Sequence, residues 1–148
     1  MKKMMLVLSV AFVSLSSCSQ DMQTSEVPSV VQNTLKTRFA GALKVEWEKK
    51  NALFEAEFDM DSTEYTAHID LAGKLISHKT DIPESGLPLA VATAIRTGHA
   101  GFKIDEAEKL EKDGVTYYQV ELEAKGKKDK QLVFSPDGSI AQAITYMN

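Results

Sequence analysis

The sequence predicts an α+β fold: a tandem repeat of one helix plus a four-stranded antiparallel meander, with the helices packed on one face of the sheet. Three observations carry this. The clearest strand-period alternation runs from Leu53 to Met60, where Phe54, Ala56, Phe58 and Met60 alternate with Glu55, Glu57 and Asp59. Turns as short as Lys50-Asn51 and Ala72-Gly73 leave room only for hairpins, so successive strands must run antiparallel. The motifs of residues 27–86 then recur in residues 87–148, so the unit is duplicated.

The first 17 residues read as an address. Lys2 and Lys3 precede an apolar run, Met4 to Val13, and Leu15-Ser16-Ser17-Cys18 resembles the lipobox of bacterial lipoprotein signal peptides. That resemblance implies cleavage before Cys18, acylation of this cysteine, and tethering to a membrane of the cell envelope from the periplasmic or outer-membrane side. The apolar run is well short of the ~20 residues that a membrane span needs. Cys18 is the only cysteine of the 148 residues, so no disulfide can form within the chain. Losing Lys2 and Lys3 lowers the basic count from 17 to 15 against 21 acidic residues, a formal charge of −6 on the remaining 131 residues. A nucleic-acid partner, which needs a basic footprint, is disfavoured. Residues 18–26 lack an apolar period and are expected to form a lipid-anchored tether.

Val27-Pro28-Ser29 opens the first helix, because proline suits a first turn where its missing N–H is not needed. Val31, Leu35 and Phe39 recur at helical spacing and Gly41 follows, which gives a helix over about 29–40. Leu43 to Lys49 alternates Val45 and Trp47 with charged residues, which puts Trp47 in the core. The strand at 53–60, a third at 64–70 and a fourth at 74–80 complete the meander. The second unit starts at Leu87-Pro88. At an offset of 60, Val91 matches Val31, Ile95 matches Leu35, and Glu106-x-Glu108 matches Glu46-x-Glu48. Beyond the hairpin at Lys112-Asp113-Gly114 the offset grows to 64, so Tyr118-Gln119-Val120-Glu121-Leu122 matches Phe54-Glu55-Ala56-Glu57-Phe58. Tyr118 is then a core residue, and Tyr117, Gln119 and Glu121 point to the other side. Each unit of about 60 residues would be marginal alone, so the two are expected to share a core, with the helix-free face of the sheet left bare.

The lipobox, the apolar-Pro helix ending in Ala-Gly, the Glu-x-Glu strand, the alternating Glu-rich second strand and the Gly turn before the last hairpin together resemble the PepSY-like secreted proteins. These are related in fold to the secreted β-lactamase inhibitor protein. The resemblance implies a duplicated helix-plus-sheet domain over residues 27–148 and a surface that binds, and in some cases inhibits, another protein. It carries no catalytic motif.

Nothing in the chain reads as an enzyme. The cysteine is taken by the anchor, and no Gly-x-Ser-x-Gly or comparable nucleophile turn occurs. No cofactor is called for, and no His-Glu-x-x-His, Cys-x-x-Cys or calcium-loop spacing marks a metal site. The expectation is a non-enzymatic envelope protein that binds an extracytoplasmic protein or peptide through the helix-free sheet face. The membrane is touched only through the anchor. The residues for partner contact are Glu55, Glu57, His68, Tyr117, Gln119 and Glu121, whose carboxylates would steer a cationic partner and whose tyrosine would add contact area. The alternative is a periplasmic cation-binding or sensing protein that uses the same acidic face, with His68, Asp70 and His78 as further donors.

Overall fold

A computed structural model describes residues 20–148; the expected signal peptide and acylated Cys18 lie outside the described residues. Eight strands follow one another in chain order in a single antiparallel sheet. They are β1 (Gln20–Met22), β2 (Leu43–Lys50), β3 (Leu53–Met60), β4 (Thr63–Asp70), β5 (Leu75–Asp81), β6 (Lys103–Lys112), β7 (Val115–Glu123) and β8 (Lys130–Phe134). Helix α1 (Ser29–Arg38) lies between β1 and β2, and α2 (Leu89–Gly98) between β5 and β6. The fold is the α+β tandem repeat. β5 pairs with β6 from Ser77↔Lys112 to Asp81↔Glu108, which makes the two units one continuous sheet.

Both helices pack on the same face. Val31 and Leu35 of α1 are buried with Trp47, Phe54, Ala56, Phe58, Ala67 and Ile69, while Val91 and Ile95 of α2 are buried with Ala107, Val120, Leu122 and Phe134. Each helix begins directly after a proline, Pro28 or Pro88, and each ends at a residue, Phe39 or His99, whose backbone N–H donates to the Leu35 or Ile95 carbonyl. Phe39 closes the first core against Phe58, ring centroids 4.9 Å apart. The period-two alternation therefore does what it predicts: apolar residues of β3 and β7 go under the helices, and Glu55, Glu57, Tyr117, Gln119 and Glu121 go to the opposite face. Register breaks between Leu43 and Glu46 in β2 and between Ile104 and Glu106 in β6 sit at equivalent places, so even the irregularities repeat.

Two expectations are corrected. Residues 20–26 belong to the fold: β1 pairs with β2, Met22 packs on the core, and Thr24–Glu26 form a 3₁₀ turn. The turn is held because Glu26 accepts the Gln23 N–H at 2.8 Å, while the Gln32 amide donates to the carbonyls of Thr24 and Val27. Glu84–Gly86 repeat this turn at an offset of 60, between β5 and α2. The unit thus runs strand, turn, helix, three strands, and its frame starts one strand earlier than boundaries drawn at the helices.

The helix-free face is also not bare. After β8 the chain makes one bridge, Phe134↔Ile140, and then leaves the edge and crosses that face as a strap of residues 141–148. Ala141 donates to Val133 on β8, and the Met147 sulfur accepts from Ser77 on β5 at 3.6 Å, so the strap passes over β7 and β6. Leu110, Val133 and Met147 are buried yet belong to neither core cluster, as expected for apolar side chains covered from the strap side.

Candidate functional site: a duplicated acidic face

Register places the carboxylates of the helix-free face in two sets. In the first unit Asp21 pairs with Glu48, Glu48 with Glu55 and Glu46 with Glu57, so five carboxylates come together on β1, β2 and β3. They line a groove of about 500 Å³ with Met22, Gln23 and Trp47. In the second unit Asp81 pairs with Glu108, Glu108 with Gln119 and Glu106 with Glu121. The same five places are filled on β5, β6 and β7, and only one residue differs: Gln119 stands where the first unit has Glu55.

That difference is chemically consistent. Glu55 is 2% exposed, and one oxygen accepts from His68 Nε2 at 2.6 Å and the other from Lys50 Nζ at 3.0 Å. Burial alone would raise its pKa, but the hydrogen bonds from His68 and Lys50 outweigh burial and hold the carboxyl below its ordinary value. Gln119, fully buried, sits beside buried Glu108, and a second carboxylate there would repel it. The amide instead donates to Glu108 and to the Met147 carbonyl at 2.8 Å, and its oxygen accepts the Met147 N–H at 3.1 Å. An amide alone can serve both backbone groups of one strap residue. Glu108 is completed by Lys79 at 2.7 Å.

The carboxylates around these anchors are less well compensated. Although Glu57 is exposed, partial desolvation of its carboxyl, and then the neighbouring Glu55, Glu64 and Glu48, push it up. Burial and Glu108 push up both Asp81 and Glu106. Asp81, Glu106 and Glu108 offer oxygens that all lie within 4.8 Å of one another.

The expected contact residues therefore divide. Glu57 is exposed, and Tyr117, Glu121 and His68 are half-buried on the helix-free face. Glu55 and Gln119 are buried, which corrects their reading as contact residues: they position Lys50, His68 and the strap. Cys18 lies outside the described residues. Two donors weighed for a cation leave the set, since His78 faces α1 with its ring 5.3 Å from Phe39, and the Asp70 carboxylate accepts the N–H groups of Ala72 and Lys74 in a turn. Asp21, Glu46, Glu48, Asp81, Glu106 and Glu108 join the face beyond the residues expected from the sequence. The Glu-x-Glu echo was a usable signal for four of them, whereas Asp21 and Asp81 needed the β1–β2 and β5–β6 registers.

The family described as "Putative beta-lactamase-inhibitor-like, PepSY-like" matches this chain twice, over residues 14–77 and 74–142. The chain belongs to this PepSY-like family. Its two matches reproduce the two units, each starting ahead of a helix, and end before most of the strap. Among solved structures, a BLIP-like protein from Bacteroides fragilis is 25% identical, with a TM-score of 0.67, covering 76% of this chain and 82% of that one. A DUF2874 family protein from Bacteroides uniformis shares the fold at 22% identity and a TM-score of 0.72, covering 77% and 86%. A "putative periplasmic" protein from Bacteroides eggerthii does so at 18% and 0.73, covering 78% and 86%. A comparison with curated proteins returned no match.

Proposed function

We propose that this PepSY-like protein is a non-enzymatic, lipid-anchored envelope protein that binds a cationic protein or peptide through its helix-free acidic face. The observation that carries this reading is the groove of about 500 Å³ whose lining includes Asp21, Glu46, Glu48, Glu55 and Glu57. Among the described residues, Lys50 is the one lysine paired within it, to Glu48 and Glu55, so the groove keeps a net negative field. Such a field speeds encounter with a basic partner and selects against acidic ones. Cys18 stands two residues before β1, a span of at most about 7 Å. An acyl chain there would hold the β1 edge of the groove close to the membrane, where periplasmic partners meet it. Description of one relative as "putative periplasmic" and of another as BLIP-like supports the same compartment and a protein ligand.

The test reverses charge without touching the buried anchors. Glu57→Lys with Glu121→Lys should abolish co-purification of a partner crosslinked in intact cells, while the circular dichroism spectrum stays unchanged. Retention of the same partner by the double variant would contradict the assigned face. The Asp81, Glu106 and Glu108 triad favours the rival cation-binding reading. A rise in melting temperature with millimolar calcium, absent in Glu106→Gln, would support that reading instead.

A further inference from the structure

The strap occupies the second copy of the acidic groove. Glu48 keeps 27% of its side chain exposed in the open first groove, whereas Glu108, its equivalent under the strap, keeps 2%. The strap is held as a bound peptide would be held. Gln119 takes both backbone groups of Met147, and the Met147 side chain is buried, 6% exposed, against Ser77. Among the described residues, the backbone bonds from 141 to 147 are Ala141 to Val133 and Ile144 to Ala141, and Gln131 adds a long 3.4 Å bond to Asn148, so the seat depends chiefly on the residue-147 clamp. The fit is incomplete. Residues 141–148 carry no charged side chain, although Asp81, Glu106, Glu108 and Glu121 lie along their path with, among the described residues, a single paired lysine, Lys79. The Tyr146 hydroxyl is buried among the carboxylates with only a poorly aligned approach to Glu108, and burial, followed by Glu108, Glu106 and Glu121, pushes its pKa up. A phenol cannot neutralise carboxylates, and an ammonium or guanidinium can.

We propose that residues 141–148 are a displaceable plug, and that the occupant replacing it is an extended peptide with a lysine or arginine directly before an unbranched apolar side chain. The amide clamp sets the extended backbone, the Met147 seat sets the apolar side chain, and the uncompensated carboxylates set the cation. This rests on the helix-free face being the binding face, and adds where the second site is and what it takes.

The test uses a fluorescein-labelled synthetic peptide, AQAITKMN, which is the strap with lysine in place of tyrosine. Its affinity is measured by anisotropy for the processed chain and for its Met147→Asp variant, whose strap cannot seat. The variant should bind at least tenfold more tightly, and Glu106→Gln with Glu121→Gln should remove most of that gain. The peptide AQAITEMN should not bind. Equal affinity for the two chains, or no binding to a variant whose circular dichroism is native, overturns the proposal. Should Met147→Asp fail to fold, a spin label at Asn148→Cys in a Cys18→Ser chain reports on the intact strap. Saturating AQAITKMN should mobilise the label, and an unchanged spectrum overturns the plug. A concentration-dependent dimer that binds no peptide would make the occupant the strap of a second copy, and overturns the assignment too. Peptide binding that survives Glu57→Lys while the cellular partner is unaffected by face reversal sinks the proposed function and leaves the plug standing.

Discussion

Glu55 and Gln119 fill equivalent places in the two units and serve opposite needs, one accepting from cations and the other gripping a backbone. Glu55→Gln leaves Lys50 and His68 without their buried acceptor charge, and should destabilise the protein by about 1–3 kcal/mol at pH 7 in urea unfolding. The sign with pH follows from the lowered pKa of this carboxyl, which is 4.5 when unperturbed. Its stabilisation is fully present above that ordinary value and is lost as pH falls through the lower folded value, so wild type and variant should converge in the acid range below 4.5. Glu106 is the reverse case, because burial and Glu108 raise its pKa. The folded state binds its proton more readily, so its unfavourable contribution is present at neutral pH and is relieved as pH falls through the raised folded value. Glu106 is exposed, so solvent screens this repulsion, and Glu106→Gln should stabilise the chain by no more than about 0.3 kcal/mol at pH 7, read as a slightly higher melting temperature.

At the scale of elements, two tight turns seat the helices. Gly73 has φ +83° and lies under Val30, and Gly138 has φ +85° and lies under Ala90; a Cβ on Gly138 would stand 2.6 Å from the Ala90 carbonyl oxygen. Gly114 has φ +78° with open space around it. Gly114→Ala should therefore cost about 1 kcal/mol, the left-handed penalty alone. Gly138→Ala should cost about 2–4 kcal/mol, because backbone of α2 must move as well. Equal losses in chemical unfolding would refute the packing of this turn on the helix. Most elements were legible in the sequence because each carries its own signal. Leu53–Met60 was bounded by turn residues on both sides, and the prolines with the Val31 and Val91 periodicities marked both helices. β1 was not legible, since Gln20–Met22 is three residues long and too short to show an alternation. The strap was not legible either: what holds Met147 is Gln119, 28 residues away, and no local pattern reports such a bond.

For the whole molecule, the duplicated sheet presents one face as two copies of a single acidic groove, one open and one plugged. The sequence showed the duplication and the phase of Tyr117, Gln119 and Glu121, because both depend on spacing alone. It could not show that Glu55 and Gln119 are buried, because that depends on Lys50, His68 and the strap arriving from other parts of the chain. Removing residues 141–148 uncovers Met147's seat and frees two hydrogen bonds of Gln119, and should lower stability by about 2–4 kcal/mol. The most direct test of the binding face is photo-crosslinking in intact cells, with a photoreactive residue at Glu57 or Tyr117 on the helix-free face and at Lys36 or Arg96 on the exposed side of the helices. The account predicts one shared protein adduct from Glu57 and Tyr117 and none from Lys36 or Arg96. Adducts from the helix positions with none from the sheet face would contradict it.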